Sequence, residues 1–167
     1  MSMGKSESEF TIAYDLYADA LFRFAYFAVH DREIAKDLVA DTFTKVWEYI
    51  AKGQAVTNIR ALCYHVLRNL IVDHWRKRKS LSLDELVDAG YDPIGTDGRV
   101  DEEQNSEYVE LRKAIETLPA VFQEVILLRY VEGYSPKEIA ELLGISPSLV
   151  SVRIFRGQSL LKKRIQI

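Results

Sequence analysis

Between Lys5 and Lys52 the chain contains neither glycine nor proline, so nothing in the backbone interrupts a helix over that length. Its apolar residues fall at helical steps. Phe10, Tyr14, Tyr17, Leu21, Phe24 and Ala28 make one stripe at spacings of three and four. His30-Asp31 predicts a break, with Asp31 as N-cap of a second helix. That helix carries Ile34, Leu38, Val39, Thr42, Phe43, Val46, Trp47 and Ile50 on one side, and Glu33, Lys36, Asp37, Ala40, Asp41, Thr44, Lys45 and Glu48 on the other. Gly53 suits the left-handed residue that ends it. After the polar loop Gly53–Asn58, a third helix turns Ile59, Leu62, Val66, Leu67, Leu70 and Ile71 inward. It runs into the basic stretch Trp75-Arg-Lys-Arg-Lys79, in which Trp75 is expected to pack in the core. Three helices sharing one apolar side predict a small helical domain over residues 1–79.

Residues 80–104 have a different composition. Turn formers and acids dominate Gly90-Tyr-Asp-Pro-Ile-Gly-Thr-Asp-Gly98, which predicts a flexible linker. Residues 105–167 return to helical periodicity. Pro119, Pro136 and Pro147 each open an apolar segment, where a missing N–H costs nothing, and Gly133 and Gly144 stand where helices should stop. Gly157 is expected to interrupt the last helix at a cost of about 1 kcal/mol relative to alanine. The predicted fold is all-α, two small helical domains joined by an acidic flexible linker.

The net charge of −3 conceals a segmented pattern: −3 over residues 1–52, +5 over 53–80, −9 over 81–110 and +4 over 111–167. Basic blocks suit phosphate and an acidic connector repels it. A lone Cys63 leaves no disulfide framework and no multi-cysteine metal site. His30, His65 and His74 are scattered, and no glycine-rich phosphate loop is present, so neither a catalytic residue nor a metal or other cofactor is expected. The polar start lacks the apolar stretch of a signal peptide, and no apolar run reaches the length of a membrane span. A cytoplasmic protein without membrane insertion is expected.

The sharpest local pattern is Tyr134-Ser-Pro-Lys-Glu-Ile-Ala-Glu-Leu-Leu-Gly-Ile-Ser-Pro-Ser-Leu-Val-Ser-Val-Arg-Ile-Phe-Arg156. Ser135 and Glu138 have capping-box spacing, Gly144 suits a tight turn, and Ser146 caps a second helix from Pro147. Ile139, Ala140, Leu143, Ile145, Val150 and Ile154 would join the two helices. This is a helix-turn-helix pattern, whose second helix would turn Ser148, Ser151, Val152, Phe155 and Arg156 outward. A weaker pattern lies in the third helix. Asn69, Asp73 and Arg76 share a face beside the basic tail with Lys77 and Arg78, a set suited to base edges and phosphates.

Together these segments resemble bacterial RNA polymerase sigma factors of the extracytoplasmic-function (ECF) group. Asp31-Arg-Glu-Ile-Ala-Lys-Asp-Leu-Val-Ala-Asp-Thr-Phe-Thr-Lys-Val-Trp47 is similar to the family's clamp-binding helix with its D-L-V-Q-E-T-F core. Leu62-Cys-Tyr-His-Val-Leu-Arg-Asn-Leu-Ile-Val-Asp-His-Trp-Arg76 is similar to W-L-Y-x-I-A-x-N-x-x-x-D-x-x-R, and the helix-turn-helix resembles the reader of the minus-thirty-five element. The resemblance implies sigma region two over residues 1–79 and region four over 105–167. It implies docking on core RNA polymerase through Asp37, Ala40, Asp41 and Thr44, and a flipped base of the minus-ten element held by the Gly53–Asn58 loop. Asn69, Asp73, Arg76, Lys77 and Arg78 would meet the opened strand. Ser148, Ser151, Val152, Phe155 and Arg156 would face minus-thirty-five bases, and Arg153 a phosphate. The sequence departs from the pattern with Ala40 for glutamine, Asp41 for glutamate, Leu62 for tryptophan, and Ser151 at a position that is often basic.

The implied partners are core RNA polymerase, promoter DNA and an anti-sigma factor, with a monomer when free. Two alternatives use the same motifs. A dimeric helix-turn-helix regulator would read a palindrome with half-sites about one turn apart. A sigma-like decoy would occupy an anti-sigma factor without initiating transcription.

Overall fold

The computed structural model describes residues 3–85 and 106–165. Seven α-helices occur among them and no strand: α1 (Met3–Val29), α2 (Arg32–Ala51), α3 (Ile59–Glu85), α4 (Ser106–Glu116), α5 (Ala120–Ile126), α6 (Pro136–Leu143) and α7 (Pro147–Ile165). A π-helical turn, Leu127–Val131, extends α5. Helix α3 thus continues into the first positions of the expected linker, and positions 86–104 lie outside the described residues.

The breaks follow the local chemistry. α1 ends at His30, whose N–H donates to the Tyr26 carbonyl at 2.8 Å and whose φ of 57° is left-handed. Asp31 is the N-cap of α2, its Oδ1 accepting from the Ile34 N–H at 2.9 Å. Every residue expected on the polar side of α2, from Glu33 to Glu48, is exposed, whereas Leu38, Val39, Thr42, Phe43 and Val46 are buried. Asn58 caps α3, accepting from the Ala61 N–H at 3.0 Å. In α3 the deepest side chains are Cys63, Tyr64 and Leu67, each at 0% exposure. Leu62, Val66 and Leu70 are only half-buried.

Two expectations are corrected. Trp75 is not a core residue; it is 39% exposed, with the Arg78 guanidinium 5.5 Å from its ring centroid. Gly157 does not interrupt the last helix. α7 is continuous through it, and the glycine is buried where α7 crosses α5. A Cβ there would stand 2.9 Å from Ile126 Cγ1 and 3.1 Å from its Cδ1, so the missing side chain is what allows the helices to approach.

The two halves share a core. Leu21, Phe24, Phe43, Tyr64 and Leu67 of α1–α3 belong to one buried cluster with Val125, Leu128, Ile139, Leu142 and Val150. Phe27 of α1 joins a second cluster with Ile115, Leu118, Ile126 and Leu127. Polar contacts surround this apolar contact. All five acidic residues of the C-terminal 57-residue segment 111–167 face the N-terminal half. Glu124 pairs with Arg68 at 2.9 Å, Glu132 with Arg23 at 2.8 Å and Glu138 with Arg60 at 3.9 Å. Glu141 accepts from Asn58 Nδ2 at 2.8 Å, and Glu116 lies 3.9 Å from His30 Nδ1. The π turn bears on this arrangement. By bonding the Glu132 N–H back to the Leu127 carbonyl, it ends α5 with Glu132 against Arg23 and Tyr134 edge-on to Tyr64.

Candidate nucleic-acid interface

The helix-turn-helix forms as its caps dictate. Ser135 Oγ accepts from the Glu138 N–H and the Glu138 carboxylate accepts from the Ser135 N–H at 2.8 Å, a closed capping box with Pro136 at the first helical position. These bonds to the carboxylate hold the Glu138 pKa below its ordinary value. Gly144 ends α6 at φ 66°, and Ser146 caps α7, accepting from the Leu149 N–H at 3.2 Å. Ile139, Ala140, Leu143, Val150 and Ile154 are buried between the helices, with Ile145 half-buried.

What this packing leaves outward is the face expected to meet DNA. Ser148, Ser151, Val152, Phe155 and Arg156 are all exposed, and Phe155, at 69%, is the most exposed of the large apolar side chains in the described residues. Serines, one guanidinium and two apolar side chains match the ways a major-groove helix meets base edges and thymine methyls. Arg153 differs from the other five. It is mostly buried, and its Nη1 lies 3.6 Å from Glu124 Oε1, on the carboxylate that also holds Arg68.

On α3, Asn69, Asp73, Arg76, Lys77 and Arg78 are all exposed. Asn69 Nδ2 is 3.4 Å from His65 Nε2, and Arg76 is 3.7 Å from Asp73, so the shared face expected from their spacing is present. At the N-terminal end of α3, the Gly53–Asn58 loop borders a recess of about 490 Å³ lined by Leu16, Tyr17, Gln54 and Thr57 among others. Polar edges over an apolar floor give a planar heterocycle both stacking and hydrogen bonds. The side chain that ends this loop, Asn58, is the one bonded to Glu141 of α6.

The polar face of α2 is the third surface, with Asp37, Ala40, Asp41 and Thr44 all exposed. Among the described residues no group of histidine, cysteine and carboxylate side chains has metal-binding geometry, and no helix is long and apolar enough to cross a membrane. Sequence reasoning did not single out Arg23, Arg60, Arg68, Glu124 or Glu132, which join the halves. Their spacing carries no local signal, because each partner lies more than fifty residues away.

Residues 13–81 match the family model described as Sigma-70 region 2, and residues 108–159 match that described as Sigma-70, region 4. The chain is 29% identical over 163 residues to the ECF RNA polymerase sigma factor SigW of Bacillus subtilis, covering 91% of this chain and 86% of that one. It is 28% identical over 154 residues to the ECF RNA polymerase sigma factor SigE of Mycolicibacterium smegmatis, covering 87% of this chain but 57% of that protein. In fold it is similar to the sigma factor RpoE of Bartonella quintana, solved in complex with the anti-sigma factor NepR, with a TM-score of 0.72 over 95% of this chain and 98% of that one at 24% identity. The two matched regions follow each other in one chain, and it belongs to the sigma-70 family as an ECF-type sigma factor, which directs RNA polymerase to promoters.

Proposed function

We propose that residues 1–79 dock core RNA polymerase through Asp37, Ala40, Asp41 and Thr44 and capture the minus-ten element. In this reading a flipped base enters the recess beside the Gly53–Asn58 loop, and Asn69, Asp73, Arg76, Lys77 and Arg78 meet the opened strand. Helix α7 reads the minus-thirty-five element through Ser148, Ser151, Val152, Phe155 and Arg156, with Arg153 on a phosphate. The observation that carries the reading is that all five of those α7 side chains are exposed on a capped helix-turn-helix. The protein does no chemistry itself. Base capture and backbone contacts offset the few kcal/mol of unpairing when a base leaves the stack. It works in the cytoplasm, beside the polymerase.

The packed arrangement bears on how it works. Elements centred ten and thirty-five base pairs from the start site lie about 85 Å apart at roughly 3.4 Å per step. A compact chain of this length has a radius of gyration of about 15 Å. The halves must therefore separate for both elements to be read, and Asn58 is released from Glu141 and Glu124 from Arg68 when they do, while Arg153 keeps its carboxylate partner within the C-terminal half. A partner that favours the packed arrangement would hold the protein inactive, and we assign that role to an anti-sigma factor of the kind bound to the sigma factor RpoE.

The test is transcription from a pool of linear genomic fragments by core polymerase, with and without the protein. New starts sharing two spaced motifs are expected, with Asn69→Ala altering use of the downstream motif and Arg156→Ala the upstream one. Core binding without any new start would sink the initiation reading in favour of a decoy. A stable dimer on a palindrome would favour the ordinary regulator.

A further inference from the structure

An open groove of about 800 Å³ runs between α1 and α2. Its walls are aromatic: Phe10, Tyr14 and Phe22 from α1, and Phe43 and Trp47 from α2. The rings brace one another, Phe10 standing 5.1 Å from Trp47 and 5.9 Å from Phe43, and Tyr14 4.8 Å from Phe43. Yet Tyr14, on the apolar stripe of α1, is 49% exposed. The groove is open because the side chains beside it are small. Ala18 and Ala40 line it, and Ala40 stands where the resembling family has glutamine.

We propose that this groove receives a large apolar side chain of the core polymerase clamp, so that the docking surface extends from α2 onto α1. The inference rests on the reading of α2 as the docking helix. Two observations argue for that occupant. The groove is continuous with the docking face, since Ala40 and Thr44 belong to both. The exposed side of α2 beside it carries four acids, Glu33, Asp37, Asp41 and Glu48, against three bases, Arg32, Lys36 and Lys45. Such a surface fits a basic helix that presents one bulky apolar anchor, the arrangement in which a desolvated pocket ringed by charges carries most of an interface's binding energy. A glutamine at position 40 would cover the groove, whereas alanine leaves it open to a longer anchor.

The experiment is titration of fluorescently labelled full chain with core RNA polymerase. Thr11→Trp fills the mouth of the groove from an exposed position, and Tyr14→Ala removes one wall. Asp41→Lys tests the docking face separately. Both α1 variants are expected to weaken binding about tenfold or more with helical circular dichroism retained, and Thr11→Trp, at an exposed position, with melting unchanged. Loss with Asp41→Lys but not with either α1 variant overturns the groove and leaves the docking face standing. If none of the three weakens binding, the reading of α2 falls as well. Unchanged core affinity together with loss of a self-association seen by sedimentation would assign the groove to a second copy of the chain and overturn the proposal.

Discussion

Arg68 and Glu124 meet fork to fork across the two halves, Nε to Oε2 at 2.9 Å and Nη2 to Oε1 at 3.0 Å, while the third guanidinium nitrogen of Arg68, Nη1, donates to the Leu143 carbonyl at 3.3 Å. The pair is mostly shielded from solvent and bidentate, the geometry in which an ion pair is worth most. Arg68→Glu opposes two carboxylates at this point. It should raise the radius of gyration measured by X-ray scattering and strengthen core binding, by lowering the cost of separation. The exchanged pair Arg68→Glu with Glu124→Arg should return the chain to its compact form. An unchanged radius in the single variant would show that the apolar contact alone holds the halves together.

Gly157→Ala should lower the melting temperature, although alanine is the better helix former by about 1 kcal/mol. The new Cβ would press on Ile126 at 2.9 Å, and overpacking of this kind costs about 1–3 kcal/mol. Ile126→Val in the same chain should recover part of the loss. Thermal unfolding of both variants decides it, and a rise in melting temperature for the single variant would mean that Ile126 yields freely.

Cys63 is fully buried, and burial pushes its thiol pKa up to about 12. Since the thiolate is the reacting form, the folded chain at neutral or mildly alkaline pH should resist thiol reagents and react promptly in denaturant. Time-resolved alkylation followed by mass spectrometry measures this. Rapid modification of the native chain would contradict the assigned burial.

The Nε2 of His74 is buried without a hydrogen-bond partner among the described residues. Burial first, and then the charge of Arg78, hold its pKa below the ordinary 6.5, with Asp31 opposing. The folded state therefore resists a proton that the unfolded chain accepts. Above 6.5 this costs nothing; as pH falls through that value and then through the lower folded pKa, stability is lost. His74→Gln should flatten the pH dependence of denaturant midpoints between about pH 7 and about pH 5. An equal slope in the variant would place the acid sensitivity elsewhere.

Much of this was legible before any coordinates. The two faces of α2, the N-cap at Asp31, the capping box and the exposed side of α7 all arise from residues within one or two turns of one another, where spacing determines geometry. Trp75 was misjudged because aromatic character alone does not say on which side of α3 it falls. Gly157 was misjudged because its backbone propensity is local while its reason, Ile126, sits thirty-one residues earlier on another helix. The contact between the halves was beyond sequence reasoning for the same cause. Arg68 and Glu124 are fifty-six positions apart, and neither position marks its partner. The groove between α1 and α2 depends on small residues, Ala18 and Ala40, whose meaning appears only once the rings around them are placed.

The five carboxylates of the C-terminal half would have an effect if the halves part as proposed. Glu116, Glu124, Glu132, Glu138 and Glu141 then lie on the surface that α1 and α3 had covered, while Arg156 stays with the side chains that were outward throughout. On the proposed separation that unit would be an electric dipole, with Glu124 and Glu116 still paired to Arg153 and Arg112 within it. A polyanionic duplex would turn it before contact, repelling the uncovered carboxylates and drawing the reading helix toward the groove.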